Sequence, residues 1–160
     1  MTGAEFDYYW EDFPVGQVRP MGRHRFTEDE IVGFAQQYDR QRFHVDARSA
    51  AETIFGGLIA SGWHTCAVLM RGMCDAYLSR SACLGSPGLD SLKWLRPVRP
   101  GDEIEFRAQV LESRASASRP DRGLTKFLWA ALDQAGEPVL TMEGWQLFAR
   151  RRPGEARRDA

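Results

Sequence analysis

The sequence predicts an α+β domain with its helices first and its strands after them. Apolar residues recur at helical intervals between residues 27 and 77, and period-two alternation takes over after residue 89. Strands and helices do not take turns, which argues against a parallel βαβ sheet.

Residues 17–26, "QVRPMGRHRF", read as an extended segment. In "TEDEIVGFAQQY", Thr27 and Glu30 stand at capping-box spacing, and Ile31, Phe34, Ala35 and Tyr38 fall on one face. That helix is expected to end near Tyr38. Asp46 is placed to cap a short helix through "ARSAAE", and Phe55-Gly56-Gly57 opens a flexible link. From Ser61 a long helix follows, predicted to be the most buried one, with Cys66, Leu69, Met70, Met73, Cys74 and Tyr77 as its apolar stripe. After "LGSPG" come the strand-like runs "LDSLKWL", "EIEFRAQVLES", "LTKFLWAALD" and "PVLTMEGWQLFAR". "RPVRPGD" supplies a turn and "QAGE" a hairpin, so residues 89–150 are expected to form an antiparallel meander. Residues 1–150 then make one domain. Residues 151–160 lose all apolar periodicity and are expected to be a disordered basic tail.

The composition narrows the functions available. With 160 residues, 43% hydrophobic and 27% charged, the chain is long enough for one real core. A net charge of −1 gives no global field toward nucleic acid or an anionic membrane. The basic residues are nearly all arginine, since Lys93 and Lys126 are the only lysines. The start "MTGAEFDYYWEDF" has no basic n-region with an apolar run, and no apolar stretch approaches the roughly 20 residues of a membrane span. Cys66, Cys74 and Cys83 form an odd set without Cys-x-x-Cys spacing, which predicts reduced packing cysteines in a cytoplasmic protein rather than a metal site.

"YDRQRFHVD", residues 38–46, joins the first two helices and carries Asp39 and His44. Five residues at about 100° each turn a helix by about 500°, leaving the two side chains roughly 140° apart. They can act together only if the chain breaks after Tyr38. The competing reading makes Asp39 a helix end and His44 a satisfied buried histidine; Asp46 is a rival partner already occupied as a cap. "FGGLIASGWHT", residues 55–65, sets glycines before a helix whose free N–H groups suit an oxygen that gains charge. Gly62 would be the donor, and tight packing is the other reading of that glycine. His64 reads as core, and His24 carries no assigned chemistry. Gly-x-Ser-x-Gly, His-Glu-x-x-His, Gly-x-Gly-x-x-Gly and phosphate-loop signatures are absent from the sequence.

Asp39-x-x-x-x-His44, the apolar-plus-glycine link, the helix beginning "SGWHT" and the run "LKWLRPVRPGDEI" together resemble the MaoC-like (R)-specific enoyl-CoA hydratases of the hotdog fold, over roughly residues 10 to 148. The family pattern at the dyad is usually Asp-x-Asn-Pro-x-His, and here Gln41 and Arg42 stand where Asn and Pro are common. The resemblance implies a long central helix wrapped by an antiparallel sheet of five or six strands, working as a homodimer. It implies reversible addition of water to a trans-2-enoyl thioester, with Asp39 and His44 activating the water and the Gly62 N–H stabilising the thioester oxygen. No metal and no separate cofactor are called for, since the acyl-CoA or acyl-carrier thioester is itself the substrate. Lys93, Arg96 and Arg99 cluster around "KWLRPVRPGD" and are candidate contacts for the CoA phosphates. The same fold hosts acyl-CoA thioesterases and non-catalytic acyl-thioester-binding proteins, so those readings stay open at the level of sequence.

Overall fold

Strict alternation in the last two strands decides the architecture. In β4 (Arg122–Leu132) and β5 (Pro138–Ala149) nearly every second side chain is buried. Phe127, Trp129 and Ala131 from β4 meet Met142 and Phe148 from β5, while β3 (Glu103–Ala115) adds Ile104, Phe106, Ala108 and Val110 to the same face. One sheet face is therefore continuous and apolar, and it must be covered. The cover is the long helix α4 (Gly62–Ala76), packed with Leu69, Met73 and the capping Tyr77 fully buried. The computed structural model describes residues 6–153.

The remaining elements are β1 (Val18–Arg25), α1 (Glu28–Tyr38), the single turn α2 (Arg42–Val45), α3 (Ala47–Ala51) and β2 (Cys83–Trp94). The five strands are antiparallel in the order β1-β3-β4-β5-β2 around the central helix, a hotdog arrangement. Both caps read from the sequence form. Thr27 and Glu30 exchange capping-box hydrogen bonds, and Asp46 accepts from the Ser49 N–H at 2.7 Å. The "QAGE" hairpin closes as expected, with Asp133 accepting from Ala135 and Glu137 N–H groups at 2.9 Å each and Gly136 at φ +81°.

Three expectations need correction. The meander holds only for β3-β4-β5; "RPVRPGD" does not join neighbours, because β2 crosses to the far edge and pairs with β5. A local turn signal cannot distinguish a hairpin from a crossover. β2 also begins at Cys83 rather than Leu89, with "LGSPG" drawn into the strand by register shifts and by Ser86 donating to the Trp145 carbonyl at 2.7 Å. Finally, the buried stripe of α4 is rotated: Thr65, Val68, Leu69, Gly72 and Met73 are inside, Cys66 and Cys74 are half-buried, and Met70 is exposed. Gly72 sets that rotation. A Cβ there would lie 2.9 Å from the Met21 carbonyl oxygen, so α4 rests on β1 through its glycine.

Aromatic packing fills the centre. Phe13 stacks on Phe148 at 4.4 Å and Phe127 on Trp129 at 5.3 Å. The buried Tyr77 hydroxyl donates to Gln146 Oε1 and accepts from Trp129 Nε1–H, each at 3.1 Å, which satisfies the one polar group that α4 brings into this cluster. The basic tail starts anchored. Arg151 donates from its backbone to Glu11 at 3.1 Å and from its guanidinium to Asp12 at 2.9 Å. The rest of the predicted tail, residues 154–160, lies outside the described residues.

Candidate active site

The chain does break after Tyr38. Asp39 takes φ −152°, ψ 75° as the C-cap of α1, and Gln41 is extended before the one-turn helix α2 reverses the direction. That reversal brings Asp39 Oδ2 to 3.3 Å from His44 Nε2. Asp39 ends a helix and His44 is buried and satisfied on one side, as the competing reading has it, yet the two side chains also meet. The His44 Nδ1 lies 2.8 Å from the Ile59 carbonyl oxygen. A carbonyl can only accept, so Nδ1 carries a proton and donates it, which leaves Nε2 turned toward Asp39. The two side chains thus present Oδ2 and Nε2 side by side at one point.

Asp39 is held from both sides. Ser61 Oγ donates to Oδ2 at 2.7 Å and Gln41 Nε2 donates to Oδ1 at 2.8 Å. Partial burial alone would raise this carboxyl, but the Ser61 and Gln41 hydrogen bonds and the neighbouring His44 outweigh it and hold Asp39 below its ordinary range. It is an ionised acceptor at neutral pH. Ser61 is also the N-cap of α4, accepting from the Trp63 N–H at 3.2 Å while it donates to Asp39. One hydroxyl thus ties the start of the central helix to the dyad.

Asp39, Gln41 and His44 line a cavity of about 340 Å³. Burial divides its wall into two parts. The floor is made by His44, Ile59, Ala60, Val98, Val139 and Leu140, all buried and mostly apolar. The rim carries Gln41, Trp63, Trp94, Arg96 and Pro97, all partly or well exposed. Gly62, the first residue of α4, also lines the cavity, and its N–H has no protein acceptor among the described residues. A Cβ on Gly62 would fall on the Trp94 indole, so close packing requires this glycine as well. Trp94 is held in turn by an edge-to-face contact with Trp63 at 5.1 Å, and burial pushes the Cys66 thiol up.

The basic candidates separate. Arg96 lines the rim, with loose contacts to Glu137 at 3.4 Å and Asp133 at 3.6 Å. Arg99 instead donates to the Phe55 carbonyl at 2.6 Å and holds the 55–57 link in place. Lys93 is exposed, is not part of the cavity wall, and by strand alternation faces away from its neighbour Trp94. His64 is buried outside the cavity, stacked on Phe34 at 4.7 Å. His24 sits 3.2 Å from Glu30 Oε1 and accepts from Arg71 at 2.9 Å. Sequence reasoning missed Ser61 as a partner of Asp39. Its N-cap position was readable, but a bond across 22 residues was not.

Comparisons with known proteins point to one family. Residues 14–126 match the model of the MaoC-like domain. A crystal structure of the MaoC-like dehydratase from Rhodospirillum rubrum superposes with a TM-score of 0.84 at 38% identity, covering 91% of this chain and 99% of that one. The (R)-hydratase from A. caviae involved in PHA biosynthesis gives a TM-score of 0.67 at 26% identity, over 84% of this chain and 96% of its own. Protein MaoC of Klebsiella aerogenes is 31% identical over 64% of this chain, which spans only 30% of that protein's length. No helix among the described residues is long and apolar enough to cross a membrane. The match over most of the chain, together with a fold shared with a dehydratase at 38% identity, establishes that this chain belongs to the MaoC-like hydratase/dehydratase family.

Proposed function

We propose that the chain is an (R)-specific hydro-lyase that adds water reversibly to a trans-2-enoyl thioester. The observation that carries this reading is the placing of Asp39 Oδ2 and His44 Nε2 3.3 Å apart on the wall of a cavity whose floor is apolar. A water bound there donates one hydrogen to each. As its oxygen attacks the β-carbon, His44 Nε2 takes a proton, and the imidazolium that forms is stabilised by Asp39. Negative charge moves to the thioester oxygen, where the Gly62 N–H and the α4 dipole favour it. The imidazolium then gives its Nε2 proton to the α-carbon, so that hydroxyl and hydrogen have been added across the double bond, the thioester stays whole and His44 is restored. This route draws on no metal and no cofactor. The (R) outcome is carried over from the A. caviae enzyme's name and from the motif, not from the geometry.

The cavity's two parts fit the two ends of such a substrate. The acyl chain goes to the apolar floor and the carrier passes the rim, where Arg96 would meet a phosphate of CoA or of acyl-carrier phosphopantetheine. A homodimer would cover the exposed Trp63, Leu84, Leu89, Trp94 and Leu95, which lie on or beside the β2 edge and the start of α4. Three free cysteines suit a reducing cytoplasm. The deciding experiment follows the conjugated-enoyl absorbance and free thiol together on a trans-2-enoyl-CoA. Loss of absorbance without thiol supports the hydratase. Thiol release would identify a thioesterase, and silence in both signals a binding protein. Sedimentation at micromolar concentration tests the dimer.

A further inference from the structure

The Asp39 carboxylate has one hydrogen bond that the proposed chemistry does not account for. Gln41 Nε2 donates to Asp39 Oδ1 at 2.8 Å, although Gln41 is exposed and could spend its amide on solvent. A carboxylate only accepts, so the amide must present its nitrogen, and its orientation is set. Both side chains stand on the cavity wall.

We infer that Gln41 is a positioning residue: its amide holds Asp39 Oδ1 so that Oδ2 stays turned toward His44 Nε2 and the water bound beside them. The inference rests on the hydratase reading of the dyad and goes a step beyond it. Without Gln41, Oδ2 is still held by Ser61, but the carboxylate loses its second anchor. It can rotate about the Cβ–Cγ bond, a broad torsion with no strong well of its own. The residue type also matters. At this position the family commonly carries Asn, one methylene shorter, and here the longer side chain folds back two residues along an extended stretch to reach the carboxylate.

The charged and titratable groups around Asp39 are few. α2 contributes His44, the segment after β2 contributes Arg96 across the cavity, and the start of α4 contributes the uncharged Ser61. Arg40, next in the chain, donates its Nε–H to the Gln36 carbonyl at 2.7 Å. Removing a donor to the ionised form therefore shifts Asp39 in one direction, toward easier protonation.

The test compares Gln41→Met and Gln41→Asn with the unaltered protein on a trans-2-enoyl-CoA. Met fills nearly the same volume without an N–H, whereas Asn keeps the amide. Under the inference, Gln41→Met loses about tenfold in kcat with little change in KM, the scale of one charge-assisted hydrogen bond. Its acid limb of kcat/KM moves to higher pH, and Gln41→Asn recovers part of both. If the methionine variant keeps the unaltered rate and pH profile, the side chain only fills space and the inference fails. Asp39→Asn is measured alongside. An inactive Asp39→Asn with silent Gln41 variants overturns the inference and leaves the hydratase reading standing, while an active Asp39→Asn overturns that reading itself.

Discussion

His44 and His64 are both buried helical histidines, with 4% and 6% of their surface exposed, and both sit beside aromatic rings. They differ in what their nitrogens face. His44 gives its Nδ1 proton to the Ile59 carbonyl and turns Nε2 to Asp39 and the cavity. His64 lies flat on Phe34 and edge-on to Phe26, with an Nδ1 that has no hydrogen-bond partner among the described residues. The contrast teaches that burial does not make a histidine chemical. What sets His44 apart is a carbonyl that engages Nδ1, a carboxylate 3.3 Å from Nε2 and a place on the cavity wall.

The largest expected effect breaks the His44 side of this comparison. Asp39→Asn and His44→Ala should each lower hydration by about 10²- to 10⁴-fold. Circular dichroism should report an intact fold for both. The double variant should be little worse than either single one, because residues that act as a unit are strongly non-additive. Additive losses would mean two separate contributions rather than one water-activating pair.

Gly62→Ala comes next. The added methyl would overlap the Trp94 indole, and overpacking of this kind costs about 1–3 kcal/mol. The indole must move off the α4 N-terminus, so tryptophan fluorescence should shift and the hydration rate should fall. A normal rate with a displaced Trp94 would show that the Gly62 N–H and the indole wall have independent roles.

What the sequence made legible follows a physical line. Alternation in β4 and β5, the Thr27/Glu30 box and the Asp46 cap are set by neighbours a few residues apart, and the structure has them all. The Asp39–His44 pair was also readable, because the need for a chain break after Tyr38 is local geometry. The crossover of β2 to the β5 edge and the Ser61–Asp39 bond span tens of residues, and no short-range pattern encodes them. Lys93, Arg96 and Arg99 show the same limit from the other side. Nearness in sequence made them one cluster, whereas a strand pleat and one carbonyl acceptor give them three different surroundings.

Those surroundings predict different kinetics. Arg96→Ala should raise KM for an enoyl-CoA several-fold and blunt its salt sensitivity, with little change on a truncated thioester that lacks phosphates. Arg99→Ala should harm both substrates alike, because it releases the Phe55 carbonyl and loosens the link that leads to Ile59. Equal losses on both substrates for Arg96→Ala would remove it from the carrier site.

The smallest effect on activity is expected at His64, and it sharpens the opening contrast. His64→Phe should keep the hydration rate within about twofold, since this ring touches neither the cavity nor the dyad. Stability is where His64 acts. Burial, aided by His24 and Arg71 and opposed by Glu30, holds its imidazole below the usual histidine value, so the folded chain prefers the neutral ring. The unfolded chain binds the proton more readily, at about pH 6.5. Between the unfolded value and the lower folded one, the unfolded state therefore carries more protons, and stability rises with pH across that window. The His64 contribution is complete above the unfolded value and declines as the pH falls below it. Phenylalanine has no proton to take up, so His64→Phe should flatten the drop in melting temperature between pH 7.5 and pH 5. A drop as steep as in the unaltered protein would assign the acid sensitivity to other groups and leave His64 as packing alone.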